Sequence, residues 1–591
     1  APDAMTRRQR ALLLVFAAVA AMTRFVALSK GPWDWDEVLF CLAIRDYDVS
    51  AHWPHPPGFP LYIAMGKIAR LFAPSDFTAL QTVNVLAGMA VLPVMYWLAR
   101  SLRFGFAPAL TAATIFAFLP NVWFFGGTAF SDVPAMVLFL AAIAAYCSAG
   151  TNARRYALAS VLFGAALLFR PQNALVAVFP WTIATVRFAR ARQWRPIIAG
   201  SLIVAAIVLL GYGTAAWLSG FESYIDAVRG HSIYVRNADT AANPTRPSLL
   251  EVLRIQLDPY HAGKVSILVN VLALIGILRG PRGSVVEILL TYLPFYLFAA
   301  LVVNPLGSSR FSLNYIAGIV LLATLGMYVI ADLLPRARYA IAIALTAVIA
   351  GRFVYWVLPA FENPRSTHAP PTQAAMWVAQ NVPKSKPVFM DESIWPWSLY
   401  YITGHELVHV HRHEEIVRHP RARDGWYLHM EASLLDDARV FVRPRDRIWN
   451  IVTQRAFEAS VIPSSRMAAF TGGWHGQETD GTWRWRWSQR QARMEFPSFG
   501  GTGALTLLLS VPQVEQKKSV RVSFFWNGRH VSTLTTRERD NEIELRLPSR
   551  EAGANVLDIH CHDWFVPRQL AGGHDERELG IQLWSWQWRR L

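Results

Sequence analysis

Long apolar runs fill the chain up to about residue 358 and constrain its fold more than any other feature. A helix crosses a bilayer with about 20 mostly apolar residues. The pattern therefore predicts a multi-pass α-helical membrane protein with about eleven transmembrane helices. The runs lie near 11–29, 78–99, 107–124, 129–148, 156–170, 172–188, 196–218, 264–278, 284–303, 311–333 and 338–358.

Composition supports this class. Hydrophobic residues make up 53% of the chain, charged residues make up 17%, and the mean hydropathy is +0.25. The net charge of +16 comes largely from arginines in short clusters between apolar runs, so we exclude nucleic-acid binding, which needs cations gathered on a soluble face. The three cysteines, Cys41, Cys147 and Cys561, indicate no disulfide framework.

Arginines beside short connections predict the orientation, because such residues mark the cytoplasmic side of a membrane. The first run resembles a signal peptide but continues through Phe25 and Leu28, so we interpret it as an uncleaved span. The N-terminus is then cytoplasmic, while the acidic stretch near residue 36, the turn before Asp132, the 220–263 loop and the C-terminus lie outside. The marking residues are Arg7, Arg8, Arg10, Arg100, Arg103, Arg154, Arg155, Arg187, Arg190, Arg192, Arg195, Arg279, Arg282, Arg336 and Arg338.

The region beyond the last apolar run has a different pattern. Residues 359–470 mix helix-like and strand-like segments, which predicts an extracytoplasmic α/β segment. Residues 471–591 contain alternating segments such as VRVSFFWN and NEIELRLP, which are typical of a β-sandwich. We therefore predict three parts, with a membrane module at residues 1–358.

The most informative loop is GPWDWDEVLFCLAIRDYDVSAHWPHPPGFPLY, from Gly31 to Tyr62, which concentrates five carboxylates in a basic chain. Apolar residues after Asp36 and Glu37 predict a helix along the membrane surface with this acidic pair at its start. The helix dipole there favours an ionised Asp36, which could act as a general base. The carboxylates of Asp46 and Asp48 are interpreted as helix caps.

These residues resemble the first outer loop of the GT-C glycosyltransferases, in particular protein O-mannosyltransferases and aminoarabinose transferases. The resemblance rests on the Asp36-Glu37 pair, the HPPGFPLY motif that begins at His55, their spacing and the topology. Three shorter segments extend it, and they contain Asp132 in FGGTAFSDVPAM, Arg170 in LLFRPQNALV and Arg310 in SRFSLNY.

The resemblance implies an inverting transferase that moves one sugar, a hexose or a pentose, from a polyprenyl-phosphate carrier to an acceptor hydroxyl. Asp36 would be the catalytic base. Substrate-binding roles would fall to Glu37, His55, Asp132, Arg170 and Arg310. Alternatively, the two arginines could reach lipid headgroups, and His55 could be a structural residue of its turn.

The resemblance and the topology together place the reaction at the periplasmic face of a bacterial inner membrane. Sugar nucleotides are cytoplasmic, so an outer enzyme needs a donor that crosses the bilayer on a lipid. The acceptor is left open as a glycan, a lipid or a protein. Asp34-Trp35-Asp36 also matches a short DxD pattern that could hold a divalent metal, but no metal is required and no metal ligands are assigned.

The C-terminal region carries two further motifs. HELVH at 405–409 matches the zinc-protease pattern, which makes a membrane metalloprotease using His405, Glu406 and His409 an alternative function. Its alternating histidines fit a strand better than the helix this pattern requires.

The final domain resembles the carbohydrate-binding-like β-sandwich of bacterial sugar transferases. Trp474, Trp483, Trp485 and Trp487 could stack on sugars or pack in its core. A non-enzymatic glycan transporter or flippase partner is a further alternative.

Overall fold

The computed structural model describes residues 5–591, apart from 261, 305–308, 432–437, 444–457, 481–482 and 572–573. The described residues divide into two compact units, one running to Ala369 and the other containing the described residues from Pro370 onwards. The predicted three-part division at residues 358 and 470 stays a prediction.

The first unit is helical. Its helices are α1 (Arg7–Thr23), α2 (Trp35–Arg45), α3 (Pro60–Arg70), α4 (Asp76–Ser101), α5 (Phe106–Ala117), α6 (Pro120–Phe125), α7 (Asp132–Ala149), α8 (Ala153–Leu167), α9 (Leu175–Arg190), α10 (Trp194–Leu218), α11 (Phe221–Ala238), α12 (Leu249–Leu257), α13 (Lys264–Arg279), α14 (Arg282–Leu301), α15 (Ile316–Ala331), α16 (Arg338–Val357) and α17 (Glu362–Ser366). Short 3-10 helices occupy Arg24–Ala27, Pro171–Ala174, Ser309–Asn314, Pro335–Ala337 and Leu358–Phe361.

Each predicted apolar run contains a helix, which confirms a multi-pass membrane protein. Among the described residues, six helical segments are long and apolar enough to cross a membrane. Helix α7 is apolar all round and mostly buried, as expected for a helix surrounded by others. Helix α10 leaves most of its apolar surface exposed. The six segments are Arg7–Ala27, Asp76–Ser101, Asp132–Ala149, Trp194–Leu218, Arg282–Leu301 and Pro335–Asn381.

Two local predictions differ from the structure. The 220–263 connection was predicted as a loop but contains α11 and α12, because hydropathy detects spanning helices and overlooks polar amphipathic ones. Helix α2 begins at the acidic pair as predicted, but residues 37–44 are all buried. It therefore packs against other elements of the unit, and its predicted position along the membrane surface stays a prediction.

Arg24 is a buried cation next to α1. Its side chain is fully buried, and its guanidinium donates to the carbonyls of Ala20 (3.0 Å) and Ala117 (2.6 Å). It also lies over the ring of Trp123, 5.7 Å from the centroid. The residue thus joins the first helix to the segment containing α5 and α6.

The second unit begins with a mixed α/β region. Its five-stranded sheet has the order β2-β1-β3-β5-β4, in which β1 pairs in parallel with β2 and β3 while the other pairs are antiparallel. The strands are β1 (Val388–Met390), β2 (Leu407–His409), β3 (Trp426–His429), β4 (Arg439–Val442) and β5 (Glu458–Pro463). The helices are α18 (Pro370–Asn381), α19 (Trp395–Tyr401) and α20 (His413–Arg418).

The remaining strands form a sheet of order β10-β9-β12-β7-β13-β8-β11, with β6 paired to β7. Strands β8 and β9 stand far apart in this order, yet Leu507 and Phe524 belong to one buried core. The sheet therefore folds over itself, which agrees with the predicted sandwich. The elements are β6 (Ala469–Thr479), β7 (Arg484–Phe496), β8 (Thr502–Ser510), β9 (Val520–Trp526), β10 (Arg529–Thr536), β11 (Asp540–Pro548), β12 (Asn555–Cys561), α21 (Pro567–Ala571) and β13 (Gln582–Arg590).

Candidate active site

Asp36 lies in the first turn of α2, within the helical unit. Asp34 caps this helix, its Oδ1 accepting a hydrogen bond from the Asp36 amide at 2.9 Å. The Asp36 side chain is 19% exposed and thus retains access to solvent. The helix N-terminus and the cap hold this carboxylate in one position.

Asp36 forms an ion pair with Arg310, although 274 residues separate them in sequence. Arg310 NH2 lies 2.6 Å from Asp36 Oδ2, and the guanidinium stacks over the ring of Phe130 at 4.5 Å. Burial by itself would raise the pKa of the Asp36 carboxyl, but the charge and hydrogen bond of Arg310, together with the charges of neighbouring groups, outweigh burial and hold the pKa below the ordinary 3.8. The carboxylate is therefore ionised at neutral pH.

Asp132 connects a second arginine to this pair. Its Oδ2 lies 2.7 Å from Arg170 NH2 and 4.0 Å from Arg310 NH1. Arg170 Nε also donates to Ser131 Oγ at 3.0 Å. Two arginines and two aspartates, each singled out by a separate sequence motif, therefore form one largely buried network.

The segment before Asp132 is fixed by polar groups from other helices. Tyr62 donates to the carbonyl of Ala129 at 2.7 Å, Asn84 donates to that of Phe130 at 2.6 Å, and Gln81 donates to that of Gly127 at 2.8 Å. Each of these bonds satisfies a buried carbonyl, so the turn is anchored on both sides of Ala129. The start of α7, and with it Asp132, is positioned accordingly.

Glu37 has a different environment from the one its predicted substrate-binding role requires. It is fully buried, and its carboxyl oxygens accept from the backbone amides of Trp33 (2.7 Å), Asp34 (3.0 Å) and Ala129 (2.8 Å). Burial raises the pKa of Glu37 to about 8, and these amide donors act in the opposite direction. Both oxygens are engaged by the backbone, so Glu37 joins the α2 loop to the α7 loop.

His55 faces Asp36 from the proline-rich turn. Its Nδ1 lies 3.8 Å from Asp36 Oδ1, and its ring packs against Phe59 at 4.8 Å and Phe40 at 5.6 Å. Burial lowers the pKa of His55 to about 4, so the ring is neutral at pH 7. Gly58 has a φ of +104°, and a Cβ there would lie 2.5 Å from the Tyr47 hydroxyl.

Sequence reasoning missed two histidines at this site. The ring of His231, on α11, lies 5.5 Å from that of His55 and 6.1 Å from that of His52. His231 is 176 positions from His55 and lies on a helix that hydropathy did not detect, so no sequence signal indicated this contact. Ser131 was likewise missed, although it adjoins Asp132.

The proposed metal and protease motifs have other environments. Among the described residues, no group of three or more His, Cys, Asp and Glu side chains is arranged to hold a metal ion. HELVH lies on and beside strand β2, and its side chains have separate partners. His405 contacts the carbonyl of Val382 at 2.9 Å, Glu406 pairs with Arg421, and His409 Nε2 lies 3.1 Å from Glu392 Oε2.

The four tryptophans of the sandwich that could stack on sugars have different environments. Trp474 packs against the core and donates to the carbonyl of Arg493 at 3.1 Å. Trp483 is 61% exposed, and Trp485 lies beside Trp584 at 5.3 Å. Trp487 packs edge-on against Phe565 at 5.9 Å. Their role in sugar stacking stays a prediction.

Comparison with solved structures identifies the fold. ArnT from Cupriavidus metallidurans bound to undecaprenyl phosphate matches with a TM-score of 0.52 and 13% identity, covering 76% of this chain and 98% of that one. AglB from Archaeoglobus fulgidus, an archaeal oligosaccharyltransferase, matches with a TM-score of 0.47 and 12% identity. The match covers 68% of this chain and 65% of the AglB chain, so this chain spans just under two thirds of the length of AglB. The arabinofuranosyltransferase AftD from Mycobacteria matches with a TM-score of 0.46 and 11% identity, and the match covers 100% of this chain and 59% of the AftD chain.

No protein-family model and no curated protein matches the sequence. The fold is therefore established by structure, and the match to ArnT carries that conclusion. The chain is a multi-pass membrane protein with the GT-C fold and a C-terminal β-rich region.

Proposed function

We propose that the protein is an inverting glycosyltransferase that moves a monosaccharide from a polyprenyl-phosphate carrier to an acceptor hydroxyl. The observation that carries the proposal is the pairing of Asp36 with Arg310, inside a buried network that also contains Arg170. A carboxylate beside two guanidinium groups supplies a base and a binding site for a leaving phosphate. The GT-C fold and the undecaprenyl phosphate in the ArnT structure support the same substrate class.

In this reaction Asp36 accepts the proton of the acceptor hydroxyl as its oxygen bonds to the sugar C1. The bond between C1 and the phosphate oxygen breaks with its electron pair on the phosphate, which departs as the lipid phosphate. Arg170 and Arg310 bind this growing negative charge, because guanidinium groups can grip phosphate with two hydrogen bonds. Asp132 holds both arginines near Asp36.

The two arginines can neutralise the leaving phosphate, so the reaction as drawn uses no metal. The arginine distribution supports a cytoplasmic N-terminus and a periplasmic C-terminal region, and the resemblance to bacterial sugar transferases supports a bacterial inner membrane. The acceptor would be a glycan, lipid or protein at the periplasmic face.

Donor consumption tests this proposal. Purified protein is incubated with a panel of radiolabelled polyprenyl-phosphate sugars, and lipid-phosphate release is compared between wild type, Asp36→Asn and Asp46→Asn. General-base assistance is worth about 10²- to 10⁴-fold, so Asp36→Asn should lose most of the activity while remaining folded. Asp46 lies exposed at the end of the same helix and is the matched control.

Two results would contradict the proposal. Full activity of Asp36→Asn would exclude its role as the base. Absence of donor consumption by the wild type across the panel would favour the transporter alternative.

A further inference from the structure

The two carboxylate oxygens of Asp36 face different surroundings. Oδ2 lies 2.6 Å from Arg310, on the side of the cationic network, and Oδ1 faces His55, whose Nδ1 is 3.8 Å away. In an inverting displacement the acceptor and the leaving group lie on opposite sides of C1. An acceptor therefore approaches Oδ1 from the side of the histidines, away from the arginines that hold the phosphate.

A series of rings extends from Oδ1 towards the protein surface. His55 is followed by His231 at 5.5 Å, and His231 contacts both His52 at 6.1 Å and Tyr234 at 6.1 Å. The His55 side chain is 14% exposed, His231 is half-buried, His52 is exposed and Tyr234 is 51% exposed. The rings therefore lead from the partly buried surroundings of Asp36 to exposed positions on α11 and the proline-rich turn.

The two segments that carry these rings are tied together. Tyr224, on α11, donates to the carbonyl of Pro57 at 3.0 Å, and Tyr47 donates to that of Gly58 at 2.8 Å. The amide of Val49 donates to Ser219 Oγ at 2.9 Å, next to the start of α11. The spacing of the rings is therefore set by hydrogen bonds, so the rings are held in place before any ligand binds.

The rings suit an uncharged ligand with several hydroxyls. Burial lowers the pKa of both His55 and His231, so each is a neutral imidazole with one N–H donor and one nitrogen acceptor. Such a pair can accept from one hydroxyl and donate to the next. The aromatic face of Tyr234 can pack against the apolar face of a sugar ring.

We propose that His52, His55, His231 and Tyr234 form the acceptor subsite, and that it takes a hydroxyl-rich, uncharged acceptor, the sugar end of a glycan. This inference rests on the proposed function, and it narrows the acceptor from a glycan, lipid or protein to a glycan. His231 is a specificity residue in this scheme, since it contacts the acceptor but not the donor phosphate.

Direct binding tests the subsite without any donor. Methyl α-mannoside and methyl β-galactoside are titrated into detergent-solubilised full-length protein and followed by saturation-transfer NMR. Loss of one neutral hydrogen bond plus a ring contact is worth about tenfold in affinity. We expect that loss in His231→Ala and in Tyr234→Ala. Ser232→Ala is the matched control, because Ser232 is exposed on the same helix and its hydroxyl donates to Val228 within it.

Kinetics give a second readout. With a radiolabelled donor, His231→Ala should raise the KM for the methyl glycoside about tenfold, leaving the donor KM and the slow hydrolysis of donor by water unchanged. His231→Gln keeps hydrogen bonding without the ring and should recover part of the affinity. A parallel rise in donor KM, or a fall in the rate of donor hydrolysis, would overturn the assignment of His231.

The outcomes separate the two proposals. Glycoside binding that His231→Ala abolishes, in a protein that consumes no donor, supports the subsite and contradicts the transferase. Donor consumption with transfer to a Ser/Thr peptide, and no glycoside binding, supports the transferase and overturns the sugar-acceptor subsite. Unchanged glycoside binding in both His231→Ala and Tyr234→Ala also overturns it.

Discussion

Replacing Asp132 by Asn tests how the cationic network is held together. Asp132 Oδ2 lies 2.7 Å from Arg170 NH2, and both side chains are only 6% exposed. The substitution preserves shape but leaves the Arg170 guanidinium buried without its nearest counter-charge. Breaking a buried ion pair by removing one partner costs about 3–5 kcal/mol. We therefore expect Asp132→Asn to lower the free energy of unfolding by about that amount.

The assay is denaturant or thermal unfolding of the purified protein in detergent, with a matched exposed pair as the control. Asp332 lies 2.8 Å from Arg338, but these side chains are 52% and 38% exposed. Exposed pairs contribute about 0–1 kcal/mol, so Asp332→Asn should change stability little. Equal losses in the two variants would contradict this prediction, because the larger loss expected for Asp132→Asn comes from burial of the pair and not from its shorter distance.

A double variant separates lost charge from lost packing. Arg170→Met removes the cation and keeps much of the side-chain volume, and buried pairs can often be replaced by apolar residues without loss. Asp132→Asn with Arg170→Met should therefore be more stable than Asp132→Asn alone. Its transferase activity should stay low, since Arg170 is proposed to bind the leaving phosphate.

Three further predictions follow from the site. Glu37→Gln turns an amide NH2 towards a backbone N–H, so we expect the free energy of unfolding, measured by thermal unfolding, to fall by about 1–3 kcal/mol. An unchanged free energy of unfolding would contradict the three hydrogen bonds. Arg310 holds the Asp36 pKa down, so wild-type kcat/KM should show no acid limb from Asp36 above pH 3.8; Arg310→Gln should move that limb to higher pH, and an unmoved limb would argue against the pairing. Gly58→Ala should destabilise the protein more than Gly150→Ala in the same unfolding assay. Both glycines have a positive φ, but a Cβ at Gly58 would clash with the Tyr47 hydroxyl, whereas one at Gly150 meets nothing within 4 Å. Equal effects would show that the Tyr47 contact is unimportant.

The helices were predictable because the apolar runs are long and separated by basic turns. Each predicted run contains a helix, since burial in a bilayer demands a long apolar segment whatever its neighbours are. The polar helix α11 lacks that demand, so its position depends on tertiary contacts such as Tyr224 with Pro57. Hydropathy alone could not have revealed it.

The candidate site shows the same limit at the scale of single residues. Short motifs indicated Asp36 and Arg310, and the structure brings them together. The environment of Glu37 was not predictable, because one of its partners is the amide of Ala129, 92 residues away. His231 was also inaccessible to motif reasoning, since a ring contact across a folded unit leaves no local pattern in the sequence.

Arg24 has a consequence for how the chain is assembled. Its partner carbonyl at Ala117 is made 93 residues later, so the first apolar segment reaches the membrane with a charge that lacks this acceptor. A charge at the centre of a spanning helix costs about 2.5–3.5 kcal/mol during insertion, and Arg24, near the end of its segment, costs less than that. We expect Arg24→Leu to improve insertion of a chain truncated before α5, with little effect on the full chain, as measured by glycosylation mapping. Equal insertion of both truncated chains would contradict this. The first helix therefore completes its buried contacts only after α5 has been synthesised, so the order of synthesis affects how the helices assemble.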